Sequence, residues 1–426
     1  MSLSARAKEA KLAAEGVPIW DILSNLWDPE TNPDGYLSLG LAENTLLHET
    51  LSSYITRKFE LPTAALTYGD GMTGSNRLKK ALSEFLTKRL KPFVPIEPNH
   101  VTVTNGCSSA IEHLSWAFAD PGEGFLLGQP YYGTFIPDLT LRPASKVVPV
   151  PFHDVDPLSK AAIGKYEAAL SKAKEDGITV KGLILCNPHN PLGRCYSRDV
   201  ICGLMEFCEN NGLQFISDEI YALSTWTEQV DSSPPLVPFQ SALGIDTKGI
   251  IDPAKVHVIW GMSKDFGANG IRIGSIISQA NPSLHYSFVL PSIYSSISSL
   301  SDHVTASLLE DEEWVDGYIK QNCKLLSKQH QRAVSWAKEN NVPYSPGVNA
   351  AFFLWVDLGT AYKNNHPDQK IADIDKTVSK ALLDSKVFLS AGKDFGCEQP
   401  GWFRIVFSHP DSFLQIGLDR VAKALK

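Results

Sequence analysis

The stretch VHVIWGMSKDFGANGIRIGS, residues 256–275, places a lysine just after an apolar run. The run VHVIW (256–260) has the length and composition of a buried β-strand. Lys264 follows it among glycines and small residues, and Arg272 comes a few residues later. A single lysine in a loop is usually a surface residue, so the meaning of Lys264 depends on what the other strand ends carry.

Short apolar runs elsewhere in the chain predict further strands, at VTVTN (101–105), FLLG (125–128), GLILC (182–186) and LQFIS (213–217). Helical patterns separate these runs. One such helix is expected to begin after the N-cap residue Ser197 and to end before Gly212. Strands that alternate with helices predict an α/β fold, with a mostly parallel sheet covered by helices on both faces.

The C-terminal third differs from the middle of the chain. Long helical patterns begin near Leu300, and the strand-like runs AAFFLWVDL (350–358) and WFRIVFS (402–408) follow them. Residues 301–426 are therefore predicted to form a smaller α+β domain. Residues 61–300 form the large domain, and residues 1–60 form an N-terminal arm and part of the small domain.

Composition excludes several classes of protein. The 426 residues carry a formal net charge of -8 and are 43% hydrophobic, which favours a large globular core and argues against nucleic acid or a membrane as the main partner. No apolar run reaches the roughly 18 residues that a membrane span needs. The seven cysteines form no CxxC pair and the histidines no HExxH motif. We therefore expect a cytoplasmic protein with reduced thiols and no metal site.

Residues suited to chemistry follow the predicted strands, at the edge where ligands bind in open α/β sheets. They are an acid and a phenol in DEIY (Asp218, Tyr221), an amide in NPHNPLG (Asn190) and the amine of Lys264. After VTVTN a helix begins at Gly106, and its free N–H groups can bind phosphate. Each feature alone is ambiguous, but the set is unusual.

Pyridoxal 5'-phosphate needs this combination of groups. Its aldehyde reacts with a lysine amine, and its pyridine nitrogen needs a carboxylate to remain protonated. Its ring oxygen needs hydrogen-bond donors, and its phosphate suits a helix N-terminus together with an arginine. The sequence therefore favours an enzyme that uses this cofactor.

From about residue 40 to residue 407 the chain resembles the class I/II aminotransferase family, which are fold-type I pyridoxal-phosphate enzymes. The motifs NPHNPLG, DEIY, SKDFGANGIRIG and FRIVF occur in the order typical of the family. The resemblance implies that Lys264 binds the cofactor aldehyde, that Asp218 pairs with the pyridine nitrogen, and that Tyr221 and Asn190 hold the ring oxygen. It also implies the remaining contacts: Tyr132 stacks on the ring, Gly106, Cys107, Ser108, Ser263 and Arg272 surround the phosphate, and Arg404 binds the substrate carboxylate beside Asn190.

One position departs from the family pattern. The family often has a serine three residues before the lysine, where its hydroxyl contributes to the phosphate site. This chain has Gly261 there, with Ser263 directly before Lys264. One hydroxyl contact is therefore missing or supplied by another residue.

Within the family, the chain most resembles 1-aminocyclopropane-1-carboxylate synthase. The segment LGLAENTL (39–46) is similar to the GLAEN segment of that enzyme, which implies that Glu43 lies beside the substrate. The segment LTYGDGMTGSNRLKKAL (66–82) resembles the one whose tyrosine, here Tyr68, contacts the cofactor phosphate of the neighbouring subunit. The resemblance therefore implies a homodimer with shared active sites.

Three reactions remain open from the sequence. The first is a lyase reaction on S-adenosylmethionine, with ring closure and release of methylthioadenosine. The second is transamination of aromatic or other bulky amino acids, and the third is replacement at Cγ by an external nucleophile. A non-catalytic, cofactor-binding regulator is disfavoured because Lys264, Asp218, Tyr221 and Arg404 are all present.

Overall fold

The computed structural model describes residues 3–15, 19–227 and 230–426. Within these ranges the strands are β1 (Leu37–Ser38), β2 (Val101–Asn105), β3 (Gly124–Gly128), β4 (Lys146–Val150), β5 (Val180–Cys186), β6 (Gln214–Asp218), β7 (Val256–Gly261), β8 (Ile273–Ile277), β9 (Phe353–Asp357), β10 (Val387–Phe388), β11 (Ser390–Ala391) and β12 (Trp402–Val406).

The α-helices of the same ranges are α1 (Ala5–Glu15), α2 (Ile19–Leu23), α3 (His48–Lys58), α4 (Asn76–Leu90), α5 (Gly106–Phe118), α6 (Phe135–Thr140), α7 (Ile163–Glu175), α8 (Arg198–Asn210), α9 (Met262–Asp265), α10 (Pro282–Ser287), α11 (Ser292–Ser295), α12 (Ser299–Glu310), α13 (Glu312–Glu339), α14 (Leu358–Asn365), α15 (Ile374–Asp384) and α16 (Asp411–Ala424). Across the described part of the chain, none of the helices has the length and apolar character that crossing a membrane requires.

A seven-stranded sheet with the order β2-β8-β7-β6-β5-β3-β4 forms the centre of the molecule. Strand β8 runs antiparallel to both of its neighbours, and the remaining pairs are parallel. The predicted α/β fold with a mostly parallel sheet is confirmed. The predicted strand bounds differ from the observed ones by no more than a few residues, and β6 extends to include Asp218 itself.

Two local sequence signals position helices on this sheet. The Ser197 side chain accepts a hydrogen bond from the Val200 N–H and caps α8, as expected, while Gly212 adopts a φ of +67° just beyond the helix end. Gly106, with a φ of +77°, turns the chain directly from β2 into α5. This abrupt turn places the N-terminus of α5 at the edge of the sheet, where its free N–H groups are available to an anion.

A second, antiparallel sheet with the order β11-β12-β9 lies in the C-terminal part of the chain. Strand β1 pairs in parallel with β10, so Leu37 and Ser38 are attached to this part, whereas Leu51 and Tyr54 of α3 belong to the core cluster of the large sheet. The helix α12 contributes Ala306 and Leu309 to the same core cluster as the large sheet. The candidate site is enclosed by the strand ends of the large sheet on one side and by residues 40–43 and 379–404 on the other.

Candidate active site

The sequence-predicted residues converge on one cavity at the carboxyl edge of the large sheet. The cavity has a volume of about 970 Å³. Its wall includes Glu43, Cys107, Ser108, Tyr132, Asn190, Asp218, Tyr221, Ser263, Lys264, Arg272 and Arg404. Gly106 immediately precedes Cys107 in sequence but is not part of the cavity wall. Tyr68 is outside this cavity and is 88% exposed.

The Lys264 amine is the reactive group that the strand ends surround. Lys264 lies in α9, directly after β7, and its Nζ donates a 2.6 Å hydrogen bond to the Ala42 carbonyl. Burial, together with the nearby charge of Arg404, lowers the pKa of Lys264 to about 8 even though Glu43 acts in the opposite direction. An amine with this pKa is roughly one-fifth neutral near pH 7.4, far more than an ordinary lysine, and this neutral fraction can act as a nucleophile and as a base.

Asp218 is a buried acid at the end of β6. Its carboxyl accepts a 3.3 Å hydrogen bond from the Ile220 N–H. Burial raises the pKa of Asp218 to about 7, while that hydrogen bond and the Lys264 charge lower it. A protonated pyridine nitrogen would supply the positive charge that stabilises the ionised carboxylate in this buried position.

The N-terminus of α5 and Arg272 form a compact anion site. A Cβ atom added to Gly106 would lie 2.1 Å from Nη2 of Arg272, so only glycine lets the guanidinium lie across the first turn of the helix. Nη1 of Arg272 donates to the Asn269 carbonyl at 2.8 Å, which holds the side chain in place. Free helix N–H groups and a guanidinium together suit a phosphate group.

The structure gives a steric reason for Gly261. A Cβ atom there would lie 2.6 Å from the Ile273 carbonyl oxygen and 2.8 Å from Sγ of Cys107. A serine at this position would require the backbone of β8 or the Cys107 side chain to move. The absent serine is therefore linked to the thiol of Cys107, and the hydroxyls that remain on the cavity wall near the phosphate site belong to Ser108 and Ser263.

Arg404 is a buried cation that contacts neutral acceptors. It is 3% exposed, and its Nη1 and Nη2 donate to Oδ1 of Asn190 at 2.9 Å and to the Gly40 carbonyl at 2.7 Å. Its guanidinium lies over the rings of Phe353 and Phe395, at 4.4 and 4.8 Å from their centroids. Burial lowers the pKa of Arg404 to about 10. Because a buried cation is costly without an anion, a substrate carboxylate is a suitable partner for it.

Aromatic and apolar side chains shape the space between these charged groups. Tyr221 is fixed edge-on against Phe352 and Phe353, with ring centroids 5.3 Å apart in both pairs. Tyr132 follows β3 and makes an edge contact with Phe135. Ile220 also lines the cavity, between Asp218 and Tyr221 in sequence.

Sequence reasoning missed several groups in the cavity. Ile220 could have been found, because it lies inside the DEIY motif. The carbonyls of Gly40 and Ala42 carry no side-chain signal, although they bind Arg404 and Lys264.

Known proteins identify the family. The family model "Aminotransferase class I and II" matches residues 38–421. The chain belongs to this family. Its members use pyridoxal 5'-phosphate, and the amine, buried acid, anion site and buried guanidinium described above fit that cofactor together with an amino-acid substrate.

Among relatives, the mouse probable inactive 1-aminocyclopropane-1-carboxylate synthase-like protein 2 is 32% identical over 404 residues, which is 93% of this chain and 67% of that protein. The probable aminotransferase gliI of Aspergillus fumigatus is 33% identical, with 90% of this chain and 88% of that protein covered. The 1-aminocyclopropane-1-carboxylate synthase of Glycine max is 30% identical, with 93% and 82% covered. The chain thus spans about two thirds of the mouse protein and most of the other two.

Solved structures show the fold. An aromatic aminotransferase from Pyrococcus horikoshii superposes with a TM-score of 0.74 at 20% identity, covering 96% of this chain and 98% of that one. The aspartate aminotransferase of Thermus thermophilus with maleate gives a TM-score of 0.74 at 17% identity, with both chains covered in full. The predicted fold-type I architecture is confirmed.

Proposed function

We propose that this pyridoxal-phosphate enzyme acts on S-adenosylmethionine, by α,γ-elimination with ring closure. The segment of residues 40–43 carries the proposal. Its carbonyls bind both Arg404 and Lys264, and its Glu43 carboxylate lies on the wall of the same cavity. A carboxylate beside the reactive amine would attract a sulfonium, a positive charge that ordinary amino acids lack.

In this reaction each of the site residues would have a separate role. Arg404 binds the substrate α-carboxylate beside Asn190, and Tyr221 and Asn190 would hold the ring oxygen of the bound cofactor. The neutral Lys264 amine removes the proton from Cα. The Cα–Cγ bond then forms as the Cγ–S bond breaks, and methylthioadenosine leaves with the electron pair of that bond. Bound pyridoxal phosphate supplies the electron sink for the negative charge at Cα, and Asp218 supports it.

Transamination of aromatic or other bulky amino acids is the second candidate. The cavity wall includes apolar side chains that would accept a large substituent, namely Ile19, Leu41, Ile111, Ile136 and Phe388. A relative named as a probable aminotransferase matches over most of its length. In this reaction, or in replacement at Cγ, Lys264 would remove the same Cα proton, and the reactions would differ in the later steps.

We also propose a homodimer in which Tyr68 of one chain completes the phosphate site of the other. Tyr68 is 88% exposed, and other large exposed apolar residues occur at Leu66, Tyr286, Leu290 and Tyr294. Burial of such a surface by a second copy would remove apolar area from water.

The division of the chain into domains at 60/61 and 300/301 is likewise a proposal. The second bound falls inside α12, and limited proteolysis would test whether the chain is cut there.

Product analysis tests the reaction. The holoenzyme is incubated with S-adenosylmethionine, and separately with aromatic amino acids plus a keto acid, and the products are identified by mass spectrometry. We expect the cyclic amino acid and methylthioadenosine in the first incubation, and neither product with Lys264→Ala. New amino acids in the second incubation, with no turnover in the first, would support transamination instead. A Cγ-substituted product that appears only when a nucleophile is added would support replacement.

A further inference from the structure

The main-chain carbonyl of Ala42 accepts two hydrogen bonds from side chains that line the cavity. Nζ of Lys264 donates to it at 2.6 Å and Nδ2 of Asn269 at 3.2 Å. The opposite orientation of the Asn269 amide would place two acceptors against each other, so Nδ2 is the donor in this contact. Oδ1 of Asn269 is buried and has no partner in the described part of the chain. An unpaired acceptor therefore lies next to the Ala42 carbonyl.

Contacts on both sides of Ala42 fix the position of this carbonyl. Before it in sequence, the Gly40 carbonyl accepts a 2.7 Å hydrogen bond from Nη2 of Arg404. After it, the Glu43 carbonyl accepts a 2.6 Å hydrogen bond from the Ser408 hydroxyl. The Ala42 carbonyl can therefore keep its position when one of its own two donors leaves.

The spacing of these carbonyls suits the two ends of an α-amino acid. Gly40 and Ala42 are two residues apart, so their α-carbons are separated by at most about 7 Å. Arg404, which is the proposed partner of the substrate α-carboxylate, is bound to the first carbonyl, and Lys264 is bound to the second. A substrate whose carboxylate is bound by Arg404 thus has its α-amino group close to the Ala42 carbonyl.

We propose that the Ala42 carbonyl and the Asn269 amide bind the α-amino group of the arriving substrate, in the place that the Lys264 amine leaves when it joins the cofactor aldehyde. Asn269 would be a substrate-binding residue that also holds the carbonyl in position. The inference rests on the proposed binding of the substrate carboxylate by Arg404. It applies to each of the reactions considered above, because all of them use an amino acid.

Neutral acceptors suit an amine that must become a nucleophile. An ammonium group carries three N–H donors, and burying it without acceptors is costly. The Ala42 carbonyl and Oδ1 of Asn269 would accept two of these hydrogens. A carboxylate in their place would stabilise the positive charge more strongly and would oppose the loss of the proton that blocks attack on an aldehyde.

The test removes Lys264, because its amine occupies the Ala42 carbonyl in the chain freed of cofactor. Calorimetry on the full-length wild type and on Lys264→Ala gives the dissociation constants of methionine and of 4-(methylthio)butanoate, which lacks only the amine. Phenylalanine and 3-phenylpropanoate form a second pair. We expect the preference for the compound with the amine to be about tenfold or more greater in Lys264→Ala, which is the effect of one hydrogen bond from a charged donor.

Loss of the Lys264 charge would also favour an ammonium group, so a second substitution separates the two causes. Asn269→Leu changes no charge, and most of the gain should disappear in Lys264→Ala/Asn269→Leu, or with Asn269→Ala if the leucine variant does not fold. The matched control is Asn365→Leu, which alters an asparagine that donates to the Leu425 carbonyl at 2.9 Å and does not line the cavity. Combined with Lys264→Ala, it should keep the full gain.

Two results would overturn the proposal. The first is a gain that survives in Lys264→Ala/Asn269→Leu, because charge alone would then explain it. The second is the absence of any gain in Lys264→Ala, because the α-amino group would then bind elsewhere.

Arg404→Gln separates this inference from the proposed function. It should weaken the binding of both compounds of a pair by a similar factor, because both carry the carboxylate. If it does so while Lys264→Ala brings no gain, only the role of the Ala42 carbonyl is refuted. If the compounds bind Arg404→Gln as well as the wild type, or if neither pair binds at all, the carboxylate site fails, and this inference fails with it.

Discussion

Two regions of the cavity differ in how firmly the chain holds their side chains. One is the region around Asp218, Lys264 and Arg404, called the cofactor end, and the other is the region around Glu43, called the entrance. At the cofactor end, Asp218 and Arg404 are 4% and 3% exposed and are held by hydrogen bonds within the chain. At the entrance the Glu43 side chain is exposed, and Tyr68, which lies outside the cavity, is 88% exposed. The chain therefore holds the side chains of the cofactor end in place by itself, whereas it leaves the Glu43 and Tyr68 side chains in contact with water.

The largest effect is expected for Lys264→Ala, at the cofactor end. The purified wild-type protein should be yellow because its amine is joined to the cofactor aldehyde, and the variant should lose this absorption and lose turnover by up to about 10,000-fold. Borohydride reduction followed by peptide mapping should find the adduct on Lys264. Lys79→Ala, which alters another half-buried lysine that binds Thr73, should stay yellow. An adduct on any other lysine would refute the assignment.

Asp218→Asn should have the second largest effect. The variant should still bind the cofactor, but an amide cannot stabilise the proton on the pyridine nitrogen, so turnover should fall by about 100- to 1,000-fold. Steady-state kinetics with any accepted amino acid measures this loss. The matched control is Glu219→Gln, a neighbouring buried carboxyl that binds the Ala242 N–H and does not line the cavity. Turnover of Asp218→Asn close to that of the control would show that another group protonates the ring.

The sequence predicted which residues would meet at this edge of the sheet wherever a strand with a clear local pattern ends at or just before them. Asp218, Lys264 and Gly106 lie where parallel-sheet geometry brings strand ends together. The carbonyls of Gly40 and Ala42 were not predictable, since they reach Arg404 and Lys264 through packing between distant parts of the chain. Motif comparison could not explain Gly261 either, because its reason is steric contact with the Ile273 carbonyl and the Cys107 side chain.

Tyr68→Phe tests whether a second chain contributes to the phosphate site. If Tyr68 donates a hydrogen bond to the phosphate of a neighbouring chain, its loss should weaken cofactor affinity by about 10- to 100-fold. Tyr286→Phe, at another exposed tyrosine, should leave that affinity unchanged. Mixing Tyr68→Phe subunits with Lys264→Ala subunits should restore activity, because one site of each hybrid dimer then has both native residues. A dilute monomer that remains active would contradict shared sites.

The pH dependence of cofactor association tests whether the cofactor end is preorganised before the cofactor binds. Burial holds the pKa of Lys264 at about 8, below its usual value, and only the neutral amine attacks the aldehyde. Stopped-flow absorbance should therefore show an association rate that rises by about tenfold per pH unit below pH 8 and levels off above it. A rate that continues to rise towards pH 10 would mean that the amine is more exposed to water than the structure shows.

The smallest effect is expected for Glu43→Gln, and it bears most directly on the substrate. A fully desolvated carboxylate would discriminate strongly in favour of a sulfonium, but the Glu43 side chain is exposed, so water screens the attraction. We therefore expect kcat/KM for S-adenosylmethionine to fall by about fivefold or less, with uncharged amino acids unaffected. Raising the salt concentration should reduce the difference between wild type and variant. An equal loss for both classes of substrate would mean that Glu43 stabilises the segment around Ala42 and does not attract the positive charge of the substrate. A loss far above fivefold would mean that a second subunit or the substrate itself removes Glu43 from water, and the entrance would then be as well ordered as the cofactor end once the complex has formed.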